Sequence, residues 1–368
     1  MRRQTDYVEI PSARGVQILW KNRHNPVMKM DRHHHDEPHN LGKPRFTIMD
    51  DSRFRRVIML LFAAFIVLWP SHLTCATGPS QAASSDSKPL DDPAAHKVLR
   101  QVIERLAFGE SFDCKVRQRV HTTGREVIGA GTGSYLQVGG GTSQFSFRMT
   151  LHDGVSQHTL QQISDGRLAW TRREISEAVT LSRVDVGWLD EGARLSSTAE
   201  RIRPSMLIGG PAEMLDVISR DFDLRLGTSL LDERKLFVVM GDLKPSKREQ
   251  IHGMLGGRAW PEYLPTRVNV AIAQEDDPET SFGRGLPVRI EHWSDPLEDE
   301  GGSTHDQSLR RRMISLLEFY SIKPIKPPPV ERFRFENQDA EIDFVNETNR
   351  YENRFGVRVS AVPDSSLR

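Results

Sequence analysis

The chain has 368 residues, 50 of them basic and 50 acidic, so its formal net charge at neutral pH is +0. This balance gives no strong electrostatic footprint for nucleic acid, and we expect no nucleic-acid partner. The two cysteines, Cys75 and Cys114, exclude a disulfide framework, because Cys75 lies in a predicted export signal and Cys114 would remain alone. The fold must therefore be held together by its apolar core.

The N-terminal segment, residues 1–48, is polar and has no hydrophobic periodicity, which predicts a disordered extension. Met49 offers a second start, so translation from it would omit the extension altogether. A histidine-rich cluster at 33–39 could bind a transition metal, but an unstructured segment is the simpler interpretation. We expect no metal and no cofactor.

Residues 57–69 are an unbroken apolar run that follows Arg53, Arg55 and Arg56. Its 13 residues would span roughly 20 Å as a helix, short of the roughly 30 Å hydrocarbon core of a bilayer. A secretory signal peptide is therefore predicted at residues 49–82, where small residues around Ala82 provide the cleavage site. An uncleaved anchor at 57–69 is the alternative. In either case the chain is expected in the periplasm or cell envelope, soluble or tethered to the inner membrane.

Residues 83–92 are rich in Ser, Asp and Pro and predict a linker. From 93 to 108, apolar residues recur at three- and four-residue steps, which predicts an amphipathic helix. Alternating segments separated by Gly-rich or Asp-Gly pairs then predict consecutive β-hairpins. These strands are expected at 112–121, 126–138, 144–152, 155–164, 168–175 and 179–184. Hairpins without helical crossovers indicate an antiparallel meander.

Two helical stretches interrupt the strands, at 188–199 and 204–220, and a short helix is expected at 246–255. The remaining strands are predicted at 223–230, 235–243, 266–274, 287–294 and 313–322. At 343–355, Phe344, Thr348, Tyr351 and Phe355 share one helical face, which predicts a docking helix in a C-terminal tail, 336–368. The fold class is α+β: an antiparallel, roughly eleven-stranded open barrel or curved sheet with a helical lid, covering 93–335.

No motif for catalysis stands out. The glycines between Gly129 and Gly133 are followed by a strand-like segment, which is unlike a dinucleotide loop, so we interpret them as bends or bulges. No Gly-x-Ser-x-Gly elbow occurs. His152 and His158 flank a hairpin, where exposed side chains are the simpler account. We therefore predict no catalytic residues and no enzyme activity.

The order of these elements resembles the periplasmic outer-membrane lipoprotein-carrier family (LolA/LolB-like). Short phrases similar to an uncharacterised bacterial branch of that family carry the resemblance, which covers roughly residues 94–358. They are GSYLQ at 133–137, SDGRLAW at 164–170, LSRVD at 181–185, FEN at 335–337 and DFV at 343–345.

The resemblance implies an incomplete barrel closed by helices over an apolar cavity that accepts acyl chains of lipids or lipoproteins. The cavity candidates lie on one alternating strand face, on the next hairpin and on the lid: Phe145, Phe147, Met149, Leu151, Trp170, Met206, Leu207 and Met214. A monomeric carrier or receptor is expected, with envelope proteins as further partners. The alternative is a non-carrier envelope scaffold or protein-interaction domain. The cavity discriminates the two, because a face filled by its own side chains argues against a carrier.

Overall fold

The computed structural model describes residues 91–121, 127–176, 178–195, 202–231, 233–261, 263–295, 312–337 and 342–357. The predicted extension, its histidine cluster and the apolar run at 57–69 lie outside these ranges. Within them, no helix is both long enough and apolar enough to cross a membrane.

Helix α1 begins where the sequence predicts it. The Asp92 side chain accepts a hydrogen bond from the Ala94 amide at 2.9 Å, and Pro93 occupies the first helical position. The α-helices in the described ranges are α1 Pro93–Phe108, α2 Val186–Leu195, α3 Gly210–Asp221, α4 Pro245–Met254 and α5 Thr348–Phe355. Two short 3₁₀ helices cover Pro204–Leu207 and Val330–Phe333.

The first meander contains β1 Phe112–His121, β2 Val127–Gln137, β3 Gln144–His152, β4 Gln157–Asp165, β5 Leu168–Ile175 and β6 Ala178–Asp185. The second contains β7 Phe222–Leu231, β8 Arg234–Leu243, β9 Arg267–Ala273, β10 Pro287–Ser294 and β11 Arg312–Pro324. A short strand, β12 Phe344–Asn346, follows.

These strands form one sheet, in the order β12-β6-β5-β4-β3-β2-β1-β11-β10-β9-β8-β7. The two meanders join where β1 pairs antiparallel with β11, and only β12 runs parallel to its neighbour, β6. The sheet is open, because β12 and β7 are its edges. The predicted α+β class and antiparallel open sheet are confirmed, with β12 as an added strand.

The sheet has two faces, which we call inner and outer. On the inner face, side chains from both meanders pack with α1 and α3 in one apolar cluster that includes Leu99, Val116, Phe147, Leu215 and Val270. Strand alternation produces this face: in β3 every second residue, from Phe145 to Leu151, is buried.

Part of the outer face of the first meander is covered by the segment that leaves β11, residues 325–335, which we call the strap. Its Phe333 is 1% exposed and packs with Leu136, Val138 and Ile163. Phe335, at the end of the strap, stacks on Trp170 with ring centroids 4.9 Å apart. The strap therefore buries one apolar patch of the outer face, whereas outer-face side chains such as Lys115 stay exposed.

The prediction that the β2 glycines mark bends or bulges is met beside Gly129, where the β1–β2 register shifts between Val120, which pairs with Gly129, and His121, which pairs with Val127. Gly131 and Gly133 are not at a bulge, because β2 pairs with β3 in continuous register there. Their backbones approach β3 so closely that a Cβ on Gly133 would lie 1.9 Å from the Arg148 carbonyl oxygen. The C-terminal helix begins at Thr348 rather than at 343, because Phe344–Asn346 pairs with the β6 edge instead.

The position of His158 beside a hairpin predicted an exposed side chain. His158 is instead buried, with 2% of its surface accessible. Its Nδ1 accepts the Ser176 amide at 3.1 Å, so Nε2 carries the proton that it donates to Asp153 at 2.9 Å. The other Asp153 oxygen accepts the turn amides of Val155 and Ser156. Burial raises the pKa of Asp153, but the hydrogen bonds outweigh it and hold that pKa below its ordinary value.

Replacing Asp153 with alanine is expected to lower the free energy of unfolding by about 1–3 kcal/mol, because a buried imidazole N–H loses its acceptor. Since the folded pKa of Asp153 is depressed, the stabilisation is present above the unfolded pKa and is lost as pH falls through the folded pKa. Urea denaturation should therefore show the difference from the parent shrinking below about pH 4. His152→Ala, at the exposed neighbour, is the control. A difference that persists unchanged at pH 2 would contradict this account.

Candidate functional site

The candidate site lies between the inner face and the lid, which we define as the 3₁₀ helix Pro204–Leu207 together with α3. The lid is apolar underneath: Met206, Met214, Leu215 and Ile218 are all less than 9% exposed. These side chains belong to the same cluster as the β3 residues of the inner face. The amphipathic pattern of α3 thus places its apolar side on the sheet.

Two glycines allow the lid to lie close to the sheet. Gly209 and Gly210 have φ angles of 78° and 59°, a left-handed backbone that glycine adopts without strain. A Cβ on Gly209 would lie 2.4 Å from Cζ of Phe145. The amide of Gly210 donates a hydrogen bond to Oε1 of Gln162 on β4 at 3.0 Å. At this point the lid is joined to the sheet by one buried hydrogen bond, from Gly210 to Gln162, next to the ring of Phe145.

A polar cluster holds the first end of the lid. The Ser205 hydroxyl donates to Oδ2 of Asp190 on α2 at 2.7 Å, and the Ser205 amide donates to Oδ1 at 2.9 Å. The Ser205 hydroxyl also lies 2.8 Å from that of Ser143, in the β2–β3 loop. Arg203 pairs with Asp190 at 3.1 Å. Ser143, Ser205 and Asp190 are each less than 9% exposed, so the cluster is buried.

The C-terminal helix α5 holds the other part of the lid. Glu213 of α3 is 1% exposed and accepts hydrogen bonds from the Tyr351 hydroxyl, at 3.0 Å, and from the Arg354 guanidinium. The second Glu213 oxygen accepts the Gly209 amide at 2.7 Å. Arg354 also donates to Asp216 of α3 at 2.5 Å. We call Glu213, Asp216, Tyr351 and Arg354 the α3–α5 ion network.

Electrostatics reinforce this network. Burial by itself lowers the pKa of Arg354, but the carboxylates of Glu213 and Asp216 more than offset it, so that pKa lies above its ordinary value. Burial and the nearby Glu213 carboxylate raise the pKa of Tyr351 well above its usual range. Arg354 is therefore charged and Tyr351 protonated at any physiological pH.

Within the described part of the chain, side chains fill most of the space beneath the lid. A void of about 10 Å³ lies between Phe145 of the sheet and Met206, Ile208 and Ala212 of the lid region. That volume is about what one water molecule needs, far below a ligand pocket of roughly 300 Å³ or more. The lid is therefore closed over the inner face.

The described residues contain no group of three or more His, Cys, Asp or Glu side chains placed to hold a metal ion. Cys114 is buried, and burial raises the pKa of its thiol, so it is held as the weakly reactive thiol form. The apolar side chains under the lid offer packing surface rather than groups for chemistry.

No family model matches the chain, and no curated protein does. Solved structures match it. A LolA superfamily protein from Nitrosomonas europaea has 11% identity and a TM-score of 0.29, covering 66% of this chain and 97% of that one. LprF from Mycobacterium bovis has 12% identity and a TM-score of 0.30, covering 65% and 98%. A putative outer membrane lipoprotein-sorting protein domain from Vibrio parahaemolyticus has 9% identity and a TM-score of 0.18, covering 72% and 100%.

The LolA family that the sequence resembles is therefore among the structural matches. The TM-scores of these three are 0.30 or below, which marks a distant likeness. The strand order and pairing described above define the fold.

The structure brings together seven of the eight predicted cavity residues. Six are buried in the inner-face cluster, and Leu207 packs against it: Phe145, Phe147, Met149, Leu151, Met206, Met214 and Leu207. Trp170 lies instead on the outer face, between Phe335 and Phe344. Residues that pair across neighbouring strands lie on the same face of a sheet. Phe145 pairs with Ser164 on β4, and Ser164 pairs with Ala169 on β5. Ala169, not Trp170, therefore lies on the inner face.

Sequence reasoning missed the two polar clusters that hold the lid. Glu213 and Arg354 are separated by 141 residues and Ser143 and Ser205 by 62, so no local spacing connects them. An indirect indication was present: a helical face containing Tyr351 predicted docking, and a docked helix must pair its buried charges.

Proposed function

We propose that this chain is an exported lipid- or lipoprotein-binding protein, a carrier or receptor that holds acyl chains between the inner face and the lid. It acts in the periplasm or cell envelope, after signal cleavage or tethered by residues 57–69. It binds as a monomer and catalyses no reaction. Further envelope proteins deliver or receive the lipid.

One observation carries this proposal: a lid with an apolar underside covers a continuous apolar sheet face and is joined to it by few polar bonds. Most of the contact beneath Met206 and Met214 is non-directional packing, which an acyl chain can replace. At about 0.8 kcal/mol per buried CH₂ group, a long acyl chain would supply several kcal/mol toward displacing the lid. Methionine side chains adapt readily to such a changed surface.

A second function is favoured by a specific observation. Among the described residues, the side chains of the inner face pack beneath the lid around a void of about 10 Å³. A permanently closed lid would make the domain an envelope scaffold whose surfaces bind other proteins. The carrier hypothesis therefore requires the lid to open, whereas the scaffold hypothesis requires it to stay closed. Native mass spectrometry of the protein taken from its own envelope fraction separates the two, by the presence or absence of bound lipid.

A further inference from the structure

A second concave site lies on the outer face, away from the lid. This outer pocket has a volume of about 400 Å³, within the range of small-ligand pockets. It lies among β1, β2, β3, the end of β11 and the strap. Seven of its ten lining residues are polar or charged: Asp113, Lys115, Ser134, Ser146, Ser321, Lys323 and Arg332. The other three are Cys114, Tyr135 and Leu136.

The charges of the outer pocket are unbalanced. Three cationic side chains, Lys115, Lys323 and Arg332, face a single carboxylate, Asp113. Lys323 lies 3.7 Å from Asp113, which is a loose contact. Within the described ranges, neither Lys115 nor Arg332 forms an ion pair. The pocket therefore keeps a net positive charge that its own residues do not neutralise, which favours an anionic ligand.

A backbone irregularity shapes the pocket. The β1–β11 register shifts between Asp113, which pairs with Lys323, and Lys115, which pairs with Tyr320. The extra residues on β11 include Ser321, whose φ is 51°. A bulge of this kind bends its strand and redirects neighbouring side chains. The bulge lies within the lining of the outer pocket, between Lys115 and Lys323.

We propose that the outer pocket binds a phosphate ester. The guanidinium of Arg332 presents paired N–H donors that match phosphate oxygens, and the two lysines add point charges. Hydroxyls of Ser134, Ser146 and Ser321 supply further donors.

Asp113 selects among phosphate compounds. Its Oδ1 is buried, 3.7 Å from Nζ of Lys323, whereas the side chain as a whole is 38% exposed. The exposed part of the carboxylate would accept a hydroxyl or ammonium proton next to the phosphate. Such chemistry occurs both in phospholipid headgroups and in free phosphate esters.

Binding of a free phosphate ester is tested by calorimetric titration of the full chain with sn-glycerol 3-phosphate. Arg332→Met should weaken binding by about tenfold or more, because a charge-assisted pair is lost. Arg334→Met is the matched control: this exposed arginine is also on the strap but does not line the pocket, and its loss should change affinity by less than about twofold. Asp113→Ala should remove the preference for glycerol 3-phosphate over inorganic phosphate.

Binding of a phospholipid headgroup is tested by flotation of the protein with phosphatidylcholine vesicles that contain phosphatidylglycerol. Flotation lost in Arg332→Met and retained in Arg334→Met would identify a headgroup as the ligand. Binding of the soluble ester alone would identify a free phosphate ester. The proposal is overturned if neither binds, or if both arginine variants weaken binding equally. Because the pocket and the lid lie on opposite faces, Arg332→Met should leave acyl binding unchanged, so the two proposals can fail separately.

Discussion

Arg354→Met is expected to destabilise the folded protein by about 3–5 kcal/mol, the usual effect of removing one partner from a buried ion pair. The Arg354 side chain is 3% exposed and Glu213 is 1% exposed, so the remaining carboxylate would be buried without its cation. Tyr351 would still donate one hydrogen bond to Glu213, but Asp216 would lose its guanidinium. Urea denaturation of the purified protein measures the change.

The matched control is Lys235→Met, which breaks an ion pair whose side chains are 65% and 59% exposed. An exposed pair contributes at most about 1 kcal/mol, so this variant should remain close to the parent. Hydrogen exchange adds a local readout, because α5 and α3 should lose protection together in Arg354→Met. Equal, small effects of the two substitutions would show that the α3–α5 ion network does not hold α5 on the lid.

A disulfide across the first end of the lid is expected to abolish acyl uptake. The hydroxyl oxygens of Ser143 and Ser205 lie 2.8 Å apart, so Ser143→Cys combined with Ser205→Cys places two thiols within bonding reach. The oxidised variant holds the lid on the β2–β3 loop. Uptake of a fluorescent fatty acid should fall at least about tenfold and recover on addition of reductant.

Each single cysteine variant is the control, because it carries the same loss of a hydroxyl without a crosslink. Peptide mapping confirms that the intended bond forms, with Cys114 buried and unreacted. Unchanged uptake by the fully oxidised protein would show that acyl chains do not enter beneath this lid.

The amino-acid sequence predicted the sheet well because its information is local. Alternation in β3 and an Asp-Gly turn at Asp165 define strands and hairpins without knowledge of distant residues. Helix α1 could be bounded to the residue, since Asp92 and Pro93 form an N-terminal cap with a helical apolar pattern behind it. These elements needed no tertiary information.

The errors have a common physical origin in contacts between distant parts of the chain. Trp170 was assigned to the cavity because its own strand does not reveal which face the strap will cover. Phe344 was assigned to a helix because nothing nearby indicates that it pairs with β6. The same limit hid Glu213, whose partner Arg354 is far away in the sequence. The outer pocket combines residues of four strands and the strap, so no local motif predicted it.

The central claim, that acyl chains bind beneath the lid, is tested most directly by native mass spectrometry of the full chain extracted from its own envelope fraction. We expect the protein mass to carry an added lipid, released as a fatty acid or phospholipid on activation. The locked Ser143→Cys, Ser205→Cys protein, oxidised after lipid removal, should show the bare mass after incubation with the same lipids. A bare wild-type mass in every preparation would contradict a carrier and leave the envelope scaffold as the function.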